Sequence, residues 1–483
     1  MLKRIILLAV LFTVEFIHAQ SRFADLDTMV IKYFTTDKFM GSVTLYEKGQ
    51  VVYTRGIGFA NVEWGIPHMR LDVFPLASVT KTFTAVLTMQ LVEEGKLSLE
   101  NNISDFLPYF RPDIGSRVTI RHLLTHSSGI PNYTSLPGFM SVNSKDEVPS
   151  TEWFIRKYCS SDLQFEPGER FSYNNSGYFI LGAILEKVAE MKYSDLLRKK
   201  IFRKAGMTKT GLLKSDELLQ YRVYGYIRSY DGSLKPEPFW NPDWTFSGGQ
   251  LYSTIDDLIC YHNALKDETL LKKEYQEMMY QPKFEAFGGY YANGWTIINY
   301  GADSLGSELK VYGHEGALFG FNVWFARLPE KDQLLLILGN TNKIPVREMS
   351  RNIFRLINGL DFLMPKMSVG REIFRQSAKK GIENALKLYI DEEKKESSDF
   401  VLSADELIEC AVELLKIDKT DDAIAVLQFI SLRFPGNSGI FELLGDAYAA
   451  KMDKEKAIEN YRRALEGHKE NQKVRDKLNK YAD

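Results

Sequence analysis

Two β-hairpins at opposite ends of one long stretch of chain set the tightest limit on its fold. Residues 41 to 60, GSVTLYEKGQVVYTRGIGFA, hold two runs of β-forming residues joined by EKGQ. Residues 319 to 340, FGFNVWFARLPEKDQLLLILGN, repeat the arrangement, with Pro329 to Asp332 at the turn. Between the hairpins the pattern is helical. Residues 79 to 94, the segment RHLLTH, and SGYFILGAILEKVAEM all place apolar residues at helical spacing. Strands at both ends with helices between predict an α+β domain over residues 20–360: an antiparallel sheet built from both ends of the domain and flanked by helices.

After about residue 360 the alternating strands give way to charged, almost purely helical sequence with a period of 34. Phe441, Gly445, Tyr448, Ala457, Tyr461 and Ala464 are matched 34 residues earlier by Leu407, Ala411, Leu414, Ala423, Leu427 and Ile430, and Pro435 closes the earlier copy. The pattern resembles tetratricopeptide repeats. An all-α repeat module is therefore expected over 403–483, after a helical linker over 361–402 in which residues 371–392 supply a further helix. Such helical pairs need neighbours to bury their faces. Two uses stay open: a docking surface for a protein partner, or a helical cap that covers the enzyme or fixes a dimer.

The chain has 483 residues, 45% of them hydrophobic, enough for a large core. Its 61 lysines and arginines nearly balance 63 aspartates and glutamates. No basic field points to nucleic acid, and no acidic excess points to disorder. The N-terminal MLKRIILLAVLFTVEFIHAQ places Lys3 and Arg4 before an apolar run from Ile5 to Val14, with Ala19 ahead of Gln20. This is the pattern of an export signal over residues 1–19. The run is broken by Glu15 and falls short of the roughly 20 apolar residues a membrane span needs. A mature chain without a membrane span, periplasmic or secreted, is expected. Cys159, Cys260 and Cys410 are odd in number and far apart, and read as small buried hydrophobes, not as a disulfide framework or metal site.

The chemistry centres on PLASVTKTFTAVLTMQLVEEGKL, residues 75 to 97, where Ser78 and Lys81 stand three apart at the mouth of an apolar helix. Residues at that spacing share a helix face, so the lysine is held beside the serine hydroxyl. A lysine in a first turn opposes the helix dipole, and the pairing needs a reason. A serine can gain a base in this way without histidine. At its ordinary pKa near 10.4 a lysine is neutral in only about one molecule in 2,500 at pH 7, and lowering that value by about three units costs on the order of 4 kcal/mol. Free N–H groups at the helix start can also stabilise an oxyanion. The same spacing occurs at Ser307 to Lys310 and Ser377 to Lys380, but only Ser78 has partner motifs. FEPGERFSYNNSGYFILG carries Tyr173 and Asn175 just before a helix. VYGHEGALFGFNVWF carries His314 and Gly316 on the strand entering the second hairpin, where a small residue would let substrate approach the backbone.

SVTK, YNN and HEG, in that order, resemble the motif set of the serine β-lactamase and penicillin-binding-protein superfamily, in its class C β-lactamase, D-Ala-D-Ala carboxypeptidase and esterase branch. LLTHSSGIP, EPGERFSYNNSGY and SGGQLYSTIDDL extend the likeness over about residues 25 to 350. The resemblance implies Ser78 as acylated nucleophile, Lys81 as the group that deprotonates it, and Tyr173 as the acid or base serving leaving group and water. It implies Asn175 as a ligand of the substrate amide, His314 and Gly316 as third-motif residues, and the N–H groups of Ser78 and Ala317 as the oxyanion hole. No cofactor is implied. His122 and His126 lack the glutamate a zinc-protease helix needs, since Leu123 follows His122, and they are expected to pack or fix a loop. Glu315 stands where similar enzymes carry a hydroxyl residue that helps hold a substrate carboxylate. If it faced the pocket it would repel such a group by about 4 kcal/mol. The reading is an exported serine hydrolase acting on an ester or amide, including peptidoglycan-type D-amino-acid peptides. Its rivals are a β-lactamase or penicillin-binding carboxypeptidase, and a non-catalytic protein that binds through its repeats.

Overall fold

The computed structural model describes residues 22–301, 308–468 and 470–482, so the expected export signal lies outside it. The chain divides into two compact units: residues 1–227 with 236–364, and residues 228–235 with 365–483.

The first unit is built on an eight-stranded antiparallel sheet. In chain order its strands are β1 (Gly41–Glu47), β2 (Gln50–Ile57), β3 (Phe284–Ala286), β4 (Gly289–Tyr291), β5 (Thr296–Asn299), β6 (Lys310–Leu318), β7 (Phe321–Leu328) and β8 (Gln333–Gly339), and in space they run β3-β4-β5-β6-β7-β8-β1-β2. The ends of the domain meet where β1 pairs with β8, from Gly41 opposite Gly339 to Glu47 opposite Gln333. The central strands FNVWFARL and QLLLILG are buried along their whole length because helices cover both faces. Alternation sorts their side chains. Val323, Phe325, Leu334 and Leu336 join a core with Phe83, Val86 and Tyr178, whereas Trp324, Ala326, Leu335 and Ile337 join another with Met29, Tyr33, Met349 and Ile353. β2 has exposed positions and forms the sheet edge.

Three helices on the first of these faces carry the site: α1 (Thr80–Glu93), α2 (Asn175–Ala189) and the single turn α3 (Phe246–Gly249). A fourth, α4 (Val346–Ile357), covers the opposite face. Among the described residues seven helices follow in the second unit: α5 (Val369–Lys380), α6 (Ile382–Glu393), α7 (Ala404–Lys416), α8 (Thr420–Arg433), α9 (Ser438–Ala450), α10 (Lys454–Gly467) and α11 (Gln472–Ala482). Phe441, Tyr448, Ala457, Tyr461 and Ala464 pack with Leu407, Ala411, Leu414, Ala423 and Leu427 in one core, which also takes Val369, Ile373, Ile382 and Tyr389 from α5 and α6. Tyr230 belongs to this core as well, its hydroxyl donating to the Glu406 carbonyl at 3.3 Å. Cys159 and Cys410 are buried, Cys260 is half-buried, and all three are free thiols. Among the described residues no helix is long and apolar enough to cross a membrane.

Candidate active site

The approach to Ser78 is forced by its neighbours. The Leu76 N–H donates to Leu251 O at 2.7 Å, and Ala77 then takes a positive φ of 44° before a short 3-10 turn, Ala77–Val79, leads into α1. That conformation costs an alanine about 1–2 kcal/mol, and close packing holds it. Gly316 on β6 lies against the same backbone: a Cβ there would come within 2.1 Å of Leu76 O and 2.7 Å of Val323 Cγ2. Its small size thus serves the approach of the protein's own chain, where the sequence suggested room for substrate. From the other side the Leu251 N–H donates to Thr80 Oγ1 at 3.1 Å.

Lys81 is fully buried. Its Nζ lies 2.9 Å from Ser78 Oγ, 2.9 Å from Asn175 Oδ1 and 2.7 Å from the Gly248 carbonyl. Each of these partners is itself fixed. The Asn175 backbone N–H donates to Asn132 Oδ1 at 3.1 Å and its Nδ2 donates to Thr134 Oγ1 at 3.3 Å, which turns Oδ1 toward the lysine. The α3 turn is clasped to α1 by Thr84 Oγ1 donating to Ser247 O at 2.6 Å, and to α2 by Ser247 Oγ donating to Tyr178 O at 2.7 Å. Gly182 makes that second contact possible, since a Cβ would fall 2.2 Å from Ser247 Oγ.

Burial pushes the Lys81 amine well below the ordinary lysine range. None of its hydrogen-bond partners is a carboxylate. Two are carbonyl oxygens, which only accept. A neutral amine has two N–H bonds and one lone pair. With the two N–H bonds directed at Asn175 Oδ1 and Gly248 O, the lone pair is left for the Ser78 hydroxyl. Burial thus disfavours the charge that a first-turn lysine would otherwise set against the helix dipole.

Tyr173 is half-exposed, with Lys81 Nζ 5.1 Å from its ring centre. Burial raises its phenol well above the ordinary value, partly offset by a hydrogen bond with Ser78. It therefore stands as an O–H donor at neutral pH. His314 is buried, and desolvation lowers it to about 3, so the third motif contributes a neutral imidazole. Glu315 points the other way. Its carboxylate accepts from Arg347 Nε at 2.8 Å and Asn322 Nδ2 at 3.4 Å, so strand alternation and Arg347 weaken the expected repulsion of a substrate carboxylate. Ser78, Asn175 and Ala317 line one cleft of about 380 Å³. Tyr133, Met140, Trp244, Phe319 and Phe321 give it an apolar wall, and Asn322, Asn342 and Lys343 add polar groups.

His122 and His126 do not converge. His122 Nδ1 accepts from the Thr119 N–H at 3.2 Å, whereas His126 is bonded to Asn174 and Tyr291. No cluster of metal-ligating side chains occurs among the described residues. The Gly248 carbonyl and Tyr291 were not found from sequence. SGGQLYSTIDDL marked the neighbourhood of the first, while nothing set Tyr291 apart among 25 tyrosines.

Residues 35–358 match the Beta-lactamase family. The chain belongs to that family. It is 28% identical over 318 residues to Penicillin-binding protein 4* of Bacillus subtilis (strain 168), covering 63% of this chain and 68% of that one. The octameric penicillin-binding protein homologue from Pyrococcus abyssi superposes with a TM-score of 0.61 at 30% identity, over 72% of this chain and 81% of that one. The D-amino acid amidase from Ochrobactrum anthropi SV3 gives 0.57 at 25% identity, over 66% and 94%. The family match ends before the helical unit begins at residue 365.

Proposed function

We propose that this beta-lactamase-family chain is an exported serine hydrolase that forms an acyl-enzyme at Ser78 and acts on esters or amides, D-amino-acid peptides among them. The observation that carries this reading is the placement of Lys81 Nζ between two accept-only carbonyls and the Ser78 hydroxyl. As Ser78 Oγ bonds to the substrate carbonyl carbon, its proton passes to Lys81 and the carbonyl π pair moves onto oxygen, in reach of the N–H groups of Ser78 and Ala317. Collapse of this intermediate breaks the bond to the leaving group, which takes the Tyr173 proton. Lys81 returns the proton to Tyr173 and is an amine again. Water then adds to the acyl carbon, its proton going to Lys81 and from there to the departing Ser78 Oγ, which restores the enzyme and releases an acid. Asn175, held by Thr134 and Asn132, offers its amide edge to the substrate.

The cleft's apolar wall favours an apolar acyl portion. With Glu315 paired to Arg347, peptides ending in a carboxylate stay within the proposed substrate class. The helical unit is proposed as a tetratricopeptide-like module that docks a protein partner, and residues 1–19 as a removable export signal.

Intact-protein mass spectrometry tests the reading. Wild-type protein and Ser78→Ala are each exposed to a fluorophosphonate probe, a penicillin and a p-nitrophenyl ester. A probe adduct on the wild type alone, mapped to Ser78, is expected. A lasting penicillin adduct would mark a carboxypeptidase, rapid penicillin hydrolysis a β-lactamase. Equal labelling of Ser78→Ala, or none of the wild type, would refute the nucleophile and favour a binding role through the repeats. The mass of the secreted protein reports whether residues 1–19 are removed.

A further inference from the structure

His126 grips the chain on both sides of Tyr173. Its carbonyl accepts the Ser172 N–H at 2.8 Å, its Nδ1 accepts the Asn174 N–H at 3.1 Å, and its ring packs on the Tyr173 ring with centres 4.3 Å apart. The residue is 1% exposed and sits at a φ of 57°, a left-handed conformation uncommon outside glycine for which asparagine, aspartate and histidine are the better suited side chains. Because Nδ1 accepts from a backbone N–H, the ring proton is on Nε2. Nε2 lies 3.0 Å from the hydroxyl of Tyr291, which is fully buried, and that hydroxyl lies 3.0 Å from His314 Nε2. His314 Nδ1 in turn lies 2.6 Å from the Glu315 carbonyl, so Nδ1 carries the His314 proton and Nε2 accepts. The directions are therefore fixed from end to end. Asn174 N–H donates to His126, His126 to Tyr291, Tyr291 to His314, and His314 to the backbone of β6. A single string of hydrogen bonds thus joins the YNN segment to the HEG strand behind the phenol.

We propose that His126 and Tyr291 are positioning residues that hold the Tyr173 hydroxyl where it can protonate the leaving group. This rests on the hydrolase reading above. The step it serves is bond cleavage in the tetrahedral intermediate: the carbon–nitrogen or carbon–oxygen bond breaks, its electron pair stays with the leaving atom, and that atom takes the Tyr173 proton. A p-nitrophenolate leaves readily without that proton, whereas an amine or simple alkoxide requires it. Misplacing the phenol should then slow poor leaving groups selectively, and a general loss of fold would slow all of them alike.

The test compares three substrates with one acyl group: a p-nitrophenyl ester, an ethyl ester and a primary amide. Rates are normalised to the fraction of enzyme that titrates with a fluorophosphonate at Ser78. Tyr291→Phe keeps the ring and removes the hydroxyl links to His126 and His314, together with that to Tyr178. It is expected to raise the ratio of kcat for the nitrophenyl ester to kcat for the amide by about tenfold or more, mainly through kcat with little change in KM. His126→Asn tolerates the left-handed backbone and can still accept from the Asn174 N–H, but cannot reach Tyr291, and should shift the same ratio in the same direction. His126→Ala should shift it further. Wild-type turnover with equal slowing of all three substrates in both Tyr291→Phe and His126→Asn would overturn the positioning role alone. A wild type that neither titrates at Ser78 nor turns over any of the three would overturn the hydrolase reading and this one with it.

Discussion

Lys81→Met should stabilise the first unit while it abolishes turnover. Lys81 is fully buried, and its amine is pushed well below its ordinary value of 10.5 by desolvation. If the folded chain holds it neutral at pH 7, folding must release the proton that the unfolded chain keeps. That release spans 3.5 pH units from the 10.5 reference and costs about 5 kcal/mol at 1.36 kcal/mol per unit. Methionine keeps a long flexible chain and has no proton to lose. Against this gain, the Gly248 carbonyl and Asn175 Oδ1 lose a donor, together about 2 kcal/mol. The variant should be more stable by about 3 kcal/mol at pH 7. Between the lowered folded value and 10.5 the unfolded chain binds the extra proton, so wild-type stability rises with pH throughout that window. The advantage of Lys81→Met should therefore shrink by about 1.4 kcal/mol per unit and be nearly gone at pH 9. All six tryptophans lie in the first unit, so fluorescence-monitored urea unfolding at pH 7, 8 and 9 reads it directly. An advantage independent of pH, or a variant less stable throughout, would mean that Lys81 is charged in the folded protein and is not the base that the reaction needs.

Gly316→Ala should destabilise by about 1–3 kcal/mol in the same assay and slow Ser78 labelling, because the added carbon meets the Leu76 carbonyl at 2.1 Å. Glu315→Gln should change kcat/KM in parallel for a D-Ala-D-Ala peptide and a neutral amide; a gain confined to the peptide would show that the Glu315 charge reaches the cleft after all. A chain ending at residue 364 should keep p-nitrophenyl ester hydrolysis within about threefold, since every residue lining the cleft is in the first unit. It should also unfold at lower denaturant, because residues 228–235 lose the core that Tyr230 joins. Loss of most of kcat/KM in folded truncated protein would place part of the helical unit in the reaction.

Local patterns made the two hairpins legible: GSVTLYE and QLLLILG are strand-forming runs bounded by turn residues, and each pairs with its own neighbour. Ser78 and Lys81 were legible because helical spacing alone puts them side by side. The remaining features depend on distance along the chain or on direction. The Gly248 carbonyl comes to Lys81 across 167 positions, and a backbone oxygen has no residue signature. His126 could be assigned to loop fixing from its segment, but its reach to Tyr291, 165 positions away, requires the fold. Glu315 illustrates direction: one position along β6 decides between the cleft and Arg347, and no local pattern states which face His314 takes. The segment 228–235 carries no mark in sequence of belonging with the helices after residue 365.

The pairing of Gly41 with Gly339 has a consequence in time. β1 leaves the ribosome early, yet its neighbour β8 follows only after about 300 further residues, which at roughly 5–20 residues per second is about 15–60 seconds of synthesis. Through that interval the edge of β1 that pairs with β8 lacks its native partner. Ser78, Lys81 and Tyr173 are all made within it, but Gly316, the residue that abuts Leu76, arrives near its end. The packing that fixes the approach to Ser78 is therefore complete only when residues of the late strands have joined those of the early ones.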